Sequence, residues 1–267
     1  MTLRAVFITG ASSGIGAALA RHYAGHGAGI GLAARRGEEL RSLAAGLPGE
    51  HQLYPLDVTD AGALAAAAAD FMAKAGPPDL VIANAGISVG TMTQEAEDLA
   101  AVERVLQVNV LGIANTFQPF IAPMLVRGRG TLAGIASVAG IRGLPGAGAY
   151  SASKAAAITY LESLRVELRG SGVKVVTVAP GYIETPMTAK NPYPMPFILP
   201  VDEAARRIAR VIDAGRSYAV VPWQMAVVAK LLRLLPNGLY DALAAHAGRK
   251  PRAGEVSASD PVDASRR

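Results

Sequence analysis

Residues 5–16 read Ala5-Val6-Phe7-Ile8-Thr9-Gly10-Ala11-Ser12-Ser13-Gly14-Ile15-Gly16. An apolar run, Leu3 to Thr9, passes into three glycines spaced G-x-x-x-G-x-G, and a helical pattern, Ala17 to Gly27, follows. Strand, glycine-rich turn and helix in this order is the setting of a dinucleotide-binding turn. Glycine lets the turn fold tightly and lets backbone N–H groups approach a pyrophosphate. The helix N-terminus adds a favourable dipole for the same anion. Gly10, Ser12, Ser13, Gly14, Ile15 and Gly16 are therefore the candidate phosphate cradle. The spacing is not the commoner G-x-G-x-x-G, so the turn needs support from the rest of the chain.

That support begins at the next strand, Ala28 to Ala34. An acid here would bind a ribose 2′-hydroxyl. Instead Ala34 is followed by Arg35 and Arg36. Without the acid a 2′-phosphate meets no repulsion, and an arginine fork gives it charge-assisted hydrogen bonds. The pattern favours NADP(H) over NAD(H); a solvated basic pair opening the helix 37–46 is the plainer alternative. Strands at 52–56 and 80–83 follow, separated by an alanine-rich helix, Ala61 to Ala75, with Asp60 as its expected N-cap. The rhythm implies parallel βαβ units in one α/β, doubly wound parallel sheet of about seven strands. Ligands bind at the carboxyl ends of such strands. Gly10, Arg35, Asp57 and Asn84 all fall there.

The second half continues the alternation. A long helix is expected over Asp98 to Val126, kinked or interrupted by Pro119 and Pro123. Thr131 to Ala136 reads as a strand with Ser137 at its end, followed by a glycine-rich loop, Gly140 to Gly148. Tyr150 and Lys154 then stand four residues apart at the start of a helix reaching Arg169, so their side chains share one face. A cation within about 4–6 Å of a phenol favours the phenolate. A tyrosine tuned downward in this way exchanges protons near neutral pH. Taken alone, the pair also fits a buried tyrosine and a solvated lysine on an ordinary helix. A strand at 173–179 ends in Pro180-Gly181. A proline- and methionine-rich stretch, 182–200, reads as a functional loop or lid. Helix 201–214 and strand 218–221 complete the body.

The bulk numbers restrict the function. With 267 residues, 51% of them hydrophobic, the chain suits one large domain. No cysteine is present, which excludes disulfides and thiolate metal sites. His22, His26, His51 and His246 show no ligand spacing, so no metal is expected. The net charge is +5, and part of it lies in the tail 247–267, with five basic and three acidic residues. The body has no Lys/Arg block of the nucleic-acid type. The run Ala5–Ile8 is too short for a signal-peptide core, and no stretch approaches the roughly 20 apolar residues of a membrane span. A cytoplasmic protein is expected.

These residues together resemble the short-chain dehydrogenase/reductases, in their compact single-domain branch with a Rossmann fold. The resemblance covers Arg4 to Val221 and rests on Thr9-Gly10-x-x-x-Gly14-x-Gly16, Asn84-Ala85-Gly86, Val108-Asn109-Val110, Ser137, Tyr150-x-x-x-Lys154, and Pro180-Gly181 with Thr185. It implies Tyr150 as general acid and base and Lys154 as the residue that holds the nicotinamide ribose and lowers the tyrosine pKa. It implies Ser137 as the group that bonds a substrate carbonyl. Asn109 would distort its helix and hold a water linking Lys154 to solvent. Asp57 and Val58 would bind adenine, and Asn84, Ala85 and Gly86 would sit beside the cofactor. Pro180, Gly181, Ile183 and Thr185 would frame the carboxamide. Plainer roles stay open for Asp57 (a turn acid), Thr185 (a loop hydroxyl) and Asn84 (a backbone brace). A homodimer or homotetramer through helices 98–126 and 150–169 is implied. The expected reaction is hydride transfer between NADP(H) and a small hydrophobic ketone, aldehyde or secondary alcohol. A reductase of 3-oxoacyl thioesters on acyl-carrier protein and a non-catalytic NADP-binding sensor are the rivals.

The chain departs from the family pattern after residue 222. Trp223 to Leu235 is almost wholly apolar, apart from Lys230 and Arg233, and Leu239 to Ala247 extends it. The expectation is a catalytic domain over 1–222, an apolar helical extension over 223–247 and a disordered tail over 248–267. Three uses compete for the helix 223–235: covering the substrate pocket, packing on another subunit, or lying on the inner face of a membrane.

Overall fold

The computed structural model describes residues 5–189, 191–245 and 248–252. Seven strands form one parallel sheet: β1 (Ala5–Thr9), β2 (Gly29–Ala34), β3 (His51–Pro55), β4 (Leu80–Ala83), β5 (Gly130–Ile135), β6 (Val173–Pro180) and β7 (Tyr218–Val221). Their order is β3-β2-β1-β4-β5-β6-β7, so the winding reverses between β1 and β4. The carboxyl ends of those two strands flank the crevice where this class of sheet binds ligands. The helices are α1 (Gly14–Gly25), α2 (Gly37–Ala45), α3 (Ala61–Ala75), α4 (Leu99–Leu106), α5 (Gly112–Arg127), α6 (Gly148–Glu167), α7 (Val201–Asp213), α8 (Trp223–Leu234) and α9 (Asn237–Ala244).

The central strands β1, β4 and β6 are buried on both faces, hence their near-continuous Val/Ile/Ala runs. One face packs Leu19, Leu40, Ile208 and Ile212 against the sheet; the other packs Phe71, Phe117, Phe120 and Leu161. Phe7 sits centrally on the second face, its ring 4.9 Å from Phe120 and 5.5 Å from Phe71. A β-carbon on Gly31 would lie 2.6 Å from Phe7, so only glycine leaves room for this aromatic cluster beside β2.

Several expectations are corrected. Helix α1 begins at Gly14, three residues before the apolar pattern suggests, so Gly14, Ile15 and Gly16 form its first turn. The long helix is interrupted, but at a π-helical turn, Gln107–Leu111, and not at its prolines. Helix α5 runs unbroken through Pro119 and Pro123. Burial of Phe117, Phe120 and Met124 around those prolines outweighs the two lost amide donors. Ala96–Arg127 runs end to end as 32 helical residues, long and apolar enough to cross a membrane, contrary to the expectation that no stretch reaches that length. Here it lies along the sheet as a core helix. Asp60 does cap α3, its Oδ1 accepting from the Ala63 N–H at 2.9 Å.

Helix α8 turns Met225 and Ala229 inward and leaves Trp223, Val227, Leu231 and Leu234 exposed. Arg142, from the loop before α6, caps its end by donating to the Leu235 carbonyl at 3.0 Å and stacking on the Tyr240 ring at 4.0 Å. Residues 246, 247 and 253–267, where part of the expected tail falls, lie outside the described residues. The expectation of disorder fails for Gly248–Arg252, which pack on the body: Arg252 pairs with Gly90 as a parallel bridge.

Candidate active site

A cleft of about 450 Å³ opens above the carboxyl ends of the strands. At one end lies the turn between β1 and α1. Gly10 has φ +67°, and a β-carbon there would sit 2.7 Å from the Ala85 backbone. A β-carbon on Gly16 would sit 2.3 Å from the Gly10 carbonyl oxygen. Glycine at both places is what lets the turn close onto the helix. Asn84 locks it from β4: its amide donates to the carbonyls of Thr9 and Gly10 at 3.1 and 3.2 Å. The Thr9 hydroxyl accepts from the Asn84 N–H at 3.2 Å. Asn84 thus serves as the backbone brace, while also lining the cleft with Ala85 and Gly86.

Arg36 leaves the end of β2 and folds back over this turn. Its Nη2 donates to the hydroxyls of Ser12 at 3.0 Å and Ser13 at 2.9 Å. Its Nη1 pairs with Glu39 at 3.3 Å. Arg35 lies exposed beside it on the cleft wall. Two guanidinium groups and two hydroxyls therefore gather where Ala34 leaves no acid. Asp57 and Val58 close this end at β3. Burial works to raise the Asp57 pKa, but hydrogen bonds from the Thr59 N–H and hydroxyl and the ion pair with Arg104 outweigh it and hold it low. Asp57 is thus a turn acid that fixes the wall and is already partnered.

At the other end stand Ser137, Tyr150 and Lys154. The Ser137 hydroxyl follows β5 and accepts from the Ala139 N–H at 3.1 Å. It donates to the Pro180 carbonyl at 3.5 Å, and it lowers the Tyr150 pKa somewhat against the effect of burial. Lys154 is buried, and its Nζ donates to the Ile135 carbonyl at 2.8 Å. Nζ stands 5.9 Å from the centre of the Tyr150 ring. The expected lowering of the tyrosine pKa does not hold here. Burial raises it, and the Ser137 bond only partly opposes that. The same burial pulls Lys154 from 10.5 down to about 8. Both effects have one cause: with little water present, neither charge is favoured.

Asn109 does not line the cleft. It is fully buried in the π-helical turn. Its side-chain oxygen accepts from the Ile87 N–H at 2.8 Å, and its amide donates to the Ile87 carbonyl and to Ser153 Oγ, both at 2.9 Å. Ser153 Oγ donates in turn to the Tyr150 carbonyl at 2.7 Å. The wider turn thus ties the loop after β4, at Ile87, to the first turns of α6. A β-carbon on Gly86 would lie 3.3 Å from Asn109 Oδ1 and 3.5 Å from Lys154 Nζ, so the three are neighbours.

Pro180, Gly181, Ile183 and Thr185 line the remaining wall. A β-carbon on Gly181 would meet Met225 at 2.7 Å, so the inward side of α8 backs this wall, in line with pocket covering among the three uses weighed for that helix. The Thr188 hydroxyl, unremarked in the sequence, organises the segment by accepting from the Thr185 N–H at 3.0 Å. Of the cofactor-binding candidates, Gly16 alone is absent from the lining; its part is to make room.

Residues 4–194 match the family model for short chain dehydrogenases. An uncharacterized oxidoreductase of Myxococcus xanthus is 41% identical over 249 residues, covering 91% of this chain and 97% of that protein. The chain belongs to the short-chain dehydrogenase family. A 3-oxoacyl-[acyl-carrier-protein] reductase of Thermotoga maritima is 38% identical over 190 residues, covering 69% of this chain and 76% of that one. The crystal structure of a short-chain dehydrogenase from Streptomyces avermitilis superposes with a TM-score of 0.76 at 25% identity, covering 91% and 95% of the two chains. The protein is therefore an oxidoreductase of a family that uses a nicotinamide cofactor on alcohol and carbonyl groups. The residues present in this short-chain dehydrogenase fit such a cofactor: the glycine cradle admits no side chain at Gly10 or Gly16, and cationic and hydroxyl donors gather beside it.

In this dehydrogenase Ser153, Thr188 and Arg104 are the site-supporting residues that sequence reasoning missed. Ser153 carried a signal, being a polar residue within the first turns of an otherwise alanine-rich helix. Arg104 and Thr188 carried none, because their partners lie 47 and 3 residues away in loops of no regular pattern.

Proposed function

We propose that the protein is an NADP(H)-dependent reductase of apolar ketones or aldehydes, also able to oxidise the matching secondary alcohols, with Tyr150 as proton donor and acceptor. The observation that carries this reading is the placement of Ser137, Tyr150 and Lys154 at one end of the cleft whose other end holds Arg36 over Ser12 and Ser13. The N-terminus of α1, Gly14 to Gly16, would take the pyrophosphate and Arg35 with Arg36 the 2′-phosphate. Val58 and Asp57 would flank adenine, Asn84 to Gly86 the near ribose, and Pro180, Gly181, Ile183 and Thr185 the carboxamide. When bound, the nicotinamide gives or accepts the hydride. The Ser137 hydroxyl holds the substrate oxygen and stabilises the negative charge that grows on it. The Tyr150 hydroxyl delivers its proton to that oxygen, turning carbonyl into alcohol. The Lys154 ammonium would hold the ribose hydroxyls of a bound cofactor and would offset the charge left on the phenolate. Asn109, through Ser153, fixes the turn that carries Tyr150. The Thermotoga relative favours acyl thioesters as the second substrate class.

Replacing Tyr150 with Phe tests the assignment and excludes a mere sensor. Turnover with NADPH on a panel of apolar ketones should fall by about 10²–10⁴-fold, while NADPH binding, followed by its fluorescence, stays within about threefold. Turnover kept by the variant would remove Tyr150 from the chemistry. Wild-type turnover of acyl thioesters but not free ketones would move the substrate to the second class.

A further inference from the structure

Three loops follow the strands at the substrate end of the cleft and put residues on its lining: 86–98 after β4, 136–147 after β5, and 181–189 with 191–200 after β6. A fourth piece of chain packs against all three of these loops from far away in sequence. The Gly90 N–H donates to the Pro251 carbonyl at 3.2 Å, and Lys250 Nζ donates to the carbonyl of Met187, a cleft-lining residue, at 3.3 Å. The contact is close along its length. A β-carbon would lie 2.3 Å from the Lys250 oxygen if added to Gly90, 2.8 Å from Arg249 if added to Gly146, and 2.8 Å from Tyr193 if added to Gly248. Tyr193 itself packs edge-on to Tyr182, next to Gly181, at 6.4 Å.

The segment is held by a charge clamp. Arg252 Nε donates to Asp98 Oδ2 at 2.8 Å, and Nη2 pairs with Glu95 at 3.5 Å and Glu97 at 3.6 Å. Asp98 is buried, and its Oδ2 also accepts from the Met92 N–H at 2.8 Å. Three carboxylates in one turn repel one another, and a buried one left without its cation is costly. The clamp therefore fixes the loop before α4 as well as the segment.

We propose that Gly248–Arg252 form the fourth wall of the substrate chamber and set the size of carbonyl compound admitted, with Arg252 as the positioning residue. The inference rests on the reductase reading above. It concerns access only: Arg252 touches none of the groups assigned to proton transfer.

Two full-length variants release the strap by different means. Arg252→Gln removes the clamp. Gly90→Ala leaves every charge in place and forces a methyl against the Lys250 carbonyl. In both, hydrogen exchange at the Gly90 amide should rise about tenfold or more, because its acceptor is lost. The kcat/KM ratio for an aryl ketone over a four-carbon ketone should rise about tenfold, mostly through KM, since a steric wall discriminates on that scale. Arg252→Lys keeps the charge but not the fork, so it should fall between wild type and Arg252→Gln in this ratio, and NADPH affinity should not move in any variant. Faster exchange with an unchanged ratio would show that the strap is no wall. Unchanged exchange in both variants would show that it is not held as described. If the wild type reduces no carbonyl compound, the reductase reading fails separately. Acrylamide quenching of bound NADPH then decides for the strap: about threefold more quenching in the variants supports it, and equal quenching overturns it.

Discussion

Lys154 keeps its amine where water hardly reaches, and the fold bears the consequence. Its pKa is drawn from 10.5 to about 8 by burial. Between those values the unfolded chain binds more protons than the folded one, so stability rises with pH across that window. Below about pH 8 the cost of burying the charge is present in full. A Lys154→Met variant has no such term, and its lost bond to the Ile135 carbonyl is independent of pH. From pH 7 to 9.5 the wild type should therefore gain about 2 kcal/mol on the variant, nearly all of it above pH 8, at about 1.4 kcal/mol per pH unit. Urea melts of the two proteins at both pH values measure this. A pH-independent gap would mean that the ammonium is not held against its will. The window stops below pH 10 because Tyr150, raised by burial, contributes with the opposite sign once the unfolded tyrosine ionises.

Neighbouring elements cooperate most visibly where the end of β2 meets the start of α1. Arg36 bridges the two through Ser12 and Ser13, which aims a guanidinium at whatever the turn cradles. Charge-assisted hydrogen bonds of this kind contribute about 1.5–3 kcal/mol. Arg36→Ala should thus weaken NADPH binding by about 10–100-fold and leave NADH within about threefold. Equal losses for both cofactors in a fluorescence titration would put the arginine away from the 2′-phosphate. This device could be read from sequence because strand, turn and basic pair are contiguous signals. The same is true of the buried strands such as β1, β4 and β6, which read as apolar runs with a glycine or proline beside them, and of Tyr150 and Lys154, whose spacing equals one helical turn. What could not be read depended on contacts between distant segments. The π-helical turn at Gln107–Leu111 is the distortion that the family resemblance implies for Asn109, but its cause, the bonds of Asn109 to Ile87 and Ser153, is not in the local sequence. Pro119 and Pro123 gave the opposite error: a strong local signal overruled by aromatic packing on the sheet. The direction of the Tyr150 pKa also escaped, since spacing gives a neighbour and not the solvent around it. Arg252 looked like part of a polar tail until Glu95, Glu97 and Asp98 were placed around it.

At the scale of the molecule, the sheet accounts for both apolar faces, yet apolar side chains remain exposed outside it, on α8 and on two adjacent helical segments. Leu99, Leu106 and Leu111 are exposed along α4 and the π-helical turn, and Val166 on α6. Helix α4 packs beside α6, so these residues belong to one layer, whose inner side is the core and whose outer side meets solvent. Burying a leucine side chain that is otherwise exposed contributes about 1.5–3 kcal/mol, and a two-fold axis across this layer would use each residue twice. The expected species at micromolar concentration is a dimer or tetramer of the 27.4 kDa chain. Leu111, 57% exposed, lies two residues from Asn109 but points away from the cleft lining, so Leu111→Glu should leave NADPH affinity within about twofold while shifting the assembly toward monomer. Sedimentation velocity reads both proteins directly. A wild type that sediments as a monomer, or a variant that keeps the full assembly, would move the interface off this pair of helices and leave their leucines as ordinary exposed surface.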